Sequence, residues 1–292
     1  MMRDDLVRCL TAPNPSPLTG AGTNTYLIGS RDIAVIDPGP DIDAHLDAIL
    51  ALVRAGVPAG GRISHIVVTH AHRDHSALAP RLAARTNAPV LAFGDALAGR
   101  SPRMTALAGA LPVSAEGLDL AFHPDRTLRD GETIRTPDWE LVAHHTPGHL
   151  GGHLCLALGR VLFSGDHVMG WSTSIVAPPD GDMADYMASL HRLAGATWDR
   201  FLPGHGAPVE NPAARLSELI RHRMAREAAI LAALALGPAR IPDLAARVYT
   251  DIPPTLLLAA ERNVFAHLLD LEARNLVSAT PAPHPDATYT RA

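Results

Sequence analysis

Residues 66–77 read Ile66-Val67-Val68-Thr69-His70-Ala71-His72-Arg73-Asp74-His75-Ser76-Ala77, so His70, His72, Asp74 and His75 fall in one six-residue span. The run Ile66 to Thr69 is apolar, β-branched and too short for a helix, which predicts a buried strand. The four polar groups then sit on the loop leaving that strand. Imidazoles with a carboxylate suit Zn²⁺, and Fe or Mn are also compatible. One such histidine would be unremarkable as a helix cap. Four groups packed this closely are costly without a cation between them.

Working outward, three further candidates follow apolar or turn-rich segments. His149 closes His145-Thr146-Pro147-Gly148-His149, Asp166 lies in Phe163-Ser164-Gly165-Asp166-His167, and His205 in Leu202-Pro203-Gly204-His205-Gly206. The ordered set resembles the metallo-β-lactamase superfamily of hydrolases over residues 18–210. That resemblance implies an α/β architecture, the αββα metallo-β-lactamase sandwich, and a centre of two divalent metal ions. His70, His72 and His149 would hold one ion, Asp74, His75 and His205 the other, and Asp166 would bridge them. Zn²⁺ is the expected metal. Two such cations acidify a shared water, so a metal-bridging hydroxide attacks while the scissile carbonyl or phosphoryl oxygen is polarised. Asp74 is the catalytic candidate, both ligating and orienting that hydroxide. Part of the superfamily has Cys where Asp166 stands, and oxygen-reducing members have Glu in place of the second histidine. Asp166 and His72 therefore point to hydrolysis.

Upstream, Thr25–Ile28 and Ile33–Ile36 read as a hairpin ending in Asp37-Pro38-Gly39-Pro40. Asp37 is either a plain turn residue or a carboxylate that hydrogen-bonds a ligand histidine and fixes its tautomer. The resemblance favours the second reading. Residues 43–55 place Leu46, Ile49, Leu50 and Val53 at helical spacing. A helix over 76–86 and a strand over 88–92 complete an α/β pattern. Residues 94–124 have weak periodicity and read as a lid or an insertion over the site. Asp130-Gly131 signals a hairpin between short strands. Strands are expected at 140–145, at 154–158 and 160–163 around Gly159, and at 198–202, with a helix over 182–193. His145, His153 and His167 neighbour ligand candidates and read as structural supports. A substrate or proton-transfer role is the alternative, foremost for His153, where the family resemblance also has histidine.

After Pro212 the pattern changes to a long helix over 216–236, a short one over 242–249, a long one over 255–275 and a terminal β-ribbon. This resembles the small winged-helix domain of the beta-lactamase-like protein 2 family, as does Gly22-Thr23-Asn24-Thr25-Tyr26-Leu27. A catalytic domain over 1–213 and a winged-helix domain over 214–292 are expected.

The formal charge is −5, all 25 basic residues are arginine, and 47% of residues are hydrophobic. Such a chain buries a sizeable core and has no general electrostatic grip on nucleic acid or anionic membrane. From Ala214 onward nine arginines face eight acidic residues, a net of +1, leaving −6 on the rest. A DNA-reading helix would be more basic than residues 255–275. Only Cys9 and Cys155 are present, so no disulfide framework is indicated and a reducing compartment fits. No signal peptide or membrane-length apolar run is apparent, and a cytoplasmic location is expected. The function expected is hydrolysis of a small ester, thioester or lactone, with a small-molecule substrate as partner. The alternatives are a single-strand-directed endoribonuclease and, more weakly, a DNA-binding regulator. RNA would require a local track of arginines such as Arg73, Arg81, Arg100 and Arg103.

Overall fold

The structure, a computed structural model, describes residues 6–56, 61–109, 111, 117–250 and 252–292. Alternation along the first strands sets the layers. Leu27, Ile33 and Val35 face one core, while Tyr26, Ile28, Ala34 and Ile36 face another. Successive strand residues point to opposite faces, so this sheet is covered on both sides.

Its six strands run in the order β1 (Val7–Thr11), β2 (Asn24–Ile28), β3 (Asp32–Ile36), β4 (Arg62–Val67), β5 (Val90–Ala92) and β6 (Arg126–Thr127). Strands β3 to β6 pair in parallel, which demands crossovers. The outer core packs α1 (Asp43–Gly56) and α3 (Ala79–Thr86) on this sheet through Leu46, Ile49, Val53 and Leu82. One turn, α2 (Arg73–Ser76), precedes α3, so the single helix expected over 76–86 is broken. Pro80 explains the break, because without an N–H it is tolerated only in a first turn.

A second sheet has the order β11 (Arg200–Pro203), β10 (Val161–Gly165), β9 (Leu154–Leu158), β8 (Glu140–His145) and β7 (Thr133–Arg135). Leu141, Ala143, Leu154, Leu156, Val161 and Phe163 meet the first sheet across the central core. On its outer face lie α5 (Met183–Ala194) and the first half of α6 (Pro212–Leu234), through Tyr186, Leu190, Leu216 and Leu219. The layers are thus helix, sheet, sheet, helix. The Asp130-Gly131 turn does not close a hairpin. It carries the chain from β6, paired with β5, across to β7, paired with β8.

The remainder, α7 (Ile241–Val248), a 3₁₀ turn Pro254–Leu256, α8 (Leu257–Ala273) and the ribbon β12 (Val277–Thr280) with β13 (Thr288–Arg291), builds its own core. The second half of α6 joins it through Ile230, Ala233 and Leu234. So does Met104 of α4 (Pro102–Ala108), and Arg103 pairs with Glu272. The described part of 94–124 therefore brackets the C-terminal helices to the sandwich; residues 110 and 112–116 of that stretch lie outside the described residues. Among the described residues, no helix is long and apolar enough to cross a membrane.

Candidate metal centre

Strands β8, β10 and β11 run the same way, since β8 and β10 are both antiparallel to β9 and β11 is parallel to β10. Their carboxyl ends, with those of β3 and β4, deliver Asp37, the 70–75 loop, His149, Asp166 and His205 to one edge of the sandwich.

Three ring nitrogens converge first. His72 Nδ1 lies 2.9 Å from His70 Nε2 and 3.0 Å from His149 Nε2. A tetrahedral ion with metal–nitrogen bonds of 2.0–2.1 Å would set such atoms about 3.3 Å apart. A second set lies beside it: Asp74 Oδ2 is 3.4 Å from His75 Nε2 and 3.2 Å from His205 Nε2. Asp166 stands between the sets. Its Oδ1 is 3.4 Å from His75 Nε2, and its Oδ2 lies 3.3, 3.8 and 4.0 Å from the Nε2 atoms of His205, His149 and His70.

The outer nitrogens fix which inner atoms carry lone pairs. His149 Nδ1–H donates to the Ile175 carbonyl at 2.7 Å, and His205 Nδ1–H to the Gly22 carbonyl at 3.1 Å. His75 Nδ1–H donates to Asp37 Oδ2 at 2.9 Å. The Thr69 hydroxyl donates to the same oxygen, so its own oxygen accepts from His70 Nδ1–H at 3.0 Å. Asp37 also takes the Thr69 amide at 2.7 Å and holds this position at a left-handed φ of +50°. Such a backbone is strained for a non-glycine residue and needs surroundings that over-determine it. All four rings thus present Nε2 lone pairs inward.

Charge preferences divide the site. Burial, and then neighbouring rings, holds His70 far below the usual imidazole range and His72 down to about 3. In the other half burial works the same way, yet the carboxylates overcome it. Asp166 and Asp74 drive His205 up to about 10, and His75 is raised by Asp74, Asp166 and Asp37. Burial thus favours neutral donors in one set, while in the other the carboxylates attract positive charge, which a metal cation can supply in place of ring protons. His75 Nε2 and Asp166 Oδ1 are buried with no hydrogen-bond partner among the described residues. Lone pairs, excess anionic charge and orphaned inward atoms together fit cations held between the sets.

Close approach requires two glycines. A Cβ on Gly204 would lie 2.5 Å from Asp166 Oδ1 and 2.6 Å from His75 Cε1. Gly165, at φ +48°, would strike the His153 ring at 2.6 Å. His153 is fully buried, and its Nε2 accepts the Asp166 amide at 3.2 Å while its Nδ1 meets Thr146 Oγ1 at 2.9 Å. It supports the Asp166 backbone and does not line the cavity. His145 stacks on Phe93 and contacts the Gly151 carbonyl; His167 is buried against Tyr186.

His72, Asp74, His149, Asp166 and His205 open into a cavity of about 600 Å³. Its opposite wall comes from the C-terminal part: His222, Arg226, Tyr249, Ile252, Leu256 and the face of α8 from Ala259 to Asn263. Residues from 169–180 line it, whereas of 94–124, read as a lid or insertion over the site, only Gly117 does so among the described residues. The Ser16–Thr19 loop also lines it, and nothing in its Pro- and Thr-rich sequence distinguishes it from a plain connection. The arginines named for an RNA track do not line the cavity. Arg81 pairs with Asp41 and Asp43, Arg100 with Asp180, and Arg103 with Glu272.

Fold and site define a class, and comparison with known proteins agrees. The chain belongs to the metallo-beta-lactamase superfamily, which matches residues 18–205, and residues 241–282 match the beta-lactamase associated winged helix domain. It is a mixed α/β hydrolase fold with a C-terminal winged helix and His/Asp groups able to hold divalent metal ions. It is similar to the Beta-lactamase-like protein 2 homolog of Drosophila melanogaster, 32% identical over 89% of this chain and 85% of that protein. A metallo-beta-lactamase family protein from Thermus thermophilus superposes with a TM-score of 0.76 at 25% identity, covering 98% of each chain. Another solved protein, in a di-iron-bound form, shares 26% identity and a TM-score of 0.52 over 70% of this chain and 94% of its own.

Proposed function

We propose that the chain is a dinuclear, zinc-dependent hydrolase of a small ester, thioester or lactone, working in the cytoplasm. The observation that carries this reading is the ligand set opening into a cavity of about 600 Å³ whose lining surface is mostly apolar. That volume lies within the range of sites that enclose compact organic ligands. His70, His72 and His149 would hold one ion, Asp74, His75 and His205 the other, and Asp166 would reach both. Iron and manganese are the alternative metals, and the similar protein in a di-iron-bound form supports the first of them. Two divalent ions, when bound, supply an acidified water and a Lewis acid toward the scissile carbonyl.

The chain's own residues do the rest. Asp74 lines the cavity and is held by a hydrogen bond from the Thr23 hydroxyl at 3.1 Å, so its carboxylate is fixed to accept and orient a proton of the attacking water. Tyr249, Ile252, Leu256, Ala259 and Ala260 take the acyl portion of the substrate and exclude water from it. Positive charge near this wall comes from Arg226 and Arg262, too few to form a track for a polynucleotide. Nor does α8 present itself to DNA: Val264 to Leu269 are all buried.

A panel of activated thioester, ester, lactone, single-stranded RNA and β-lactam tests this with metal-loaded protein. Turnover of a thioester or ester is expected, with weaker and strongly salt-sensitive RNA cleavage. Efficient RNA cleavage by the parent but not by His205→Ala, with every ester ignored, would replace this reading by a nuclease.

A further inference from the structure

We infer that Arg223 and Asn263, on α6 and α8, are positioning residues for the metal centre: together they lock the Ile175–Val176 peptide whose carbonyl orients His149. The inference rests on reading His149 as a metal ligand.

A trans peptide points its C=O and N–H in opposite directions. In the unit joining Ile175 to Val176, the carbonyl accepts from His149 Nδ1–H at 2.7 Å, and the N–H donates to Asn263 Oδ1 at 3.2 Å. The peptide is therefore held at both ends, toward the metal centre and toward the C-terminal helices. Asn263 is itself fixed, because its Nδ2 donates to the Ala259 carbonyl at 2.9 Å and so determines which amide atom is the acceptor. Arg223 Nη1 donates to the same Asn263 oxygen at 3.0 Å, and Arg223 Nη2 donates to the Ser174 carbonyl. Both peptides flanking Ile175 are thus tied to α6 and α8. Arg215, two turns earlier on α6, adds bonds to the Met169 and Ser172 carbonyls at 2.7 and 2.6 Å.

The character of Arg223 argues for more than folding. It is 1% exposed, and among the described residues its partners are an amide oxygen, a carbonyl and the face of Tyr186, 5.1 Å from its guanidinium carbon, with no carboxylate. Burying a charge without a carboxylate is expensive, and an apolar side chain of similar volume would serve packing as well. What an apolar residue cannot do is hold two carbonyl-type oxygens at fixed separation, for which the planar, multi-donor guanidinium is suited. Partners one layer outside a metal ligand set its tautomer and direction, and losing them weakens metal binding by about 10–100-fold.

The test measures stepwise zinc affinity by competition with a chelator, alongside the His149 ring nitrogen signals of zinc-free protein. Asn263→Leu, which removes the acceptor, should weaken one of the two zinc steps by about 10–100-fold and leave the other unchanged. Its His149 should show mixed tautomers where the parent shows Nδ1–H alone. Asn263→Asp keeps an acceptor oxygen and should restore the parent affinity. Arg223→Lys, with one donor group in place of a fork, should fall between. Parent-like zinc affinity with a single His149 tautomer in Asn263→Leu, or in Arg223→Lys if the leucine variant does not fold, would overturn the inference. A parent that binds no zinc would instead defeat the metal-centre reading, and the tautomer measurement would still judge the clamp.

Discussion

The cavity floor and its facing wall are made differently. At the floor and just behind it, ring atoms opposite the polar cluster are tied down: His149 and His205 to backbone carbonyls, His75 to Asp37 and His70 to the Thr69 hydroxyl. The wall contributed after residue 213 sets Tyr249, Ile252, Leu256, Ala259 and Ala260 among a few polar side chains, and Tyr249 lies under the Arg226 guanidinium. The contrast separates chemistry from selectivity. A floor atom displaced by an ångström loses its role, whereas an apolar wall residue such as Ile252 or Leu256 can change volume and merely alter fit. Segment 169–177 joins the two, since its carbonyls answer to the floor at Ile175 and to α6 at Met169, Ser172 and Ser174.

The largest expected effect breaks the separation outright. Removing residues 214–292 strips Leu216, Leu219 and Ala266 from the outer core of the second sheet, which they share with Leu162, Tyr186 and Phe201. We expect the truncated chain to be insoluble on expression; a soluble, metal-binding product would show that the wall is a detachable cap and that a boundary at 213/214 divides independent units. Next comes the floor. Asp166→Ala and His72→Ala should each cost at least about a hundredfold in kcat, the upper range for partners one layer further out, with little change in Tm. Asp166→Ala should also lower metal content more than His72→Ala, because it faces both sets. Retention of near-parent rates in either variant would contradict a shared site.

A wall change should do less and do it elsewhere. Leu256→Ala should raise KM by roughly tenfold for the preferred ester, with kcat and metal content near parent values. Equal loss of kcat would place this side chain in the floor's machinery. The smallest effect concerns Asp185 on α5, whose carboxyl is pushed up to about 6 by burial and then by Asp182. An acid with a raised folded pKa favours its protonated form in the folded state. Its destabilising influence is therefore absent below about pH 3.8 and complete above about pH 6. Asp185→Asn should be slightly more stable than the parent to urea at pH 8 and indistinguishable at pH 3.5.

What was legible in the chain follows from range. The ligand loop was readable because its members crowd a six-residue span after a β-branched run, and β2, β3, β8, β9 and β10 because apolar runs end in marked turns. Strand β1 is hidden in the sequence: its edge residues, Arg8 and Cys9 among Val7 and Leu10, carry no apolar alternation. The strand leading into the ligand loop starts earlier than its apolar run, since Arg62, Ser64 and His65 interrupt that pattern although β4 pairs with β3 along its length. At Asp130-Gly131 the turn chemistry was local, but the choice of partner strand was made by residues far away. Arg223 reads in the sequence as one more exposed helix arginine. Its burial depends on Ser174 and Asn263, 49 and 40 residues distant, and no local pattern encodes such a meeting.

Metal stoichiometry tests the central claim most directly. Protein reconstituted at neutral pH and freed of loosely held ions should contain about two first-row metal ions per chain by elemental analysis, because seven converging donors exceed one tetrahedral site. Loss of His149 or His205 should each reduce that number. A chain that retains no metal after reconstitution would contradict the account of the whole site, whatever its fold.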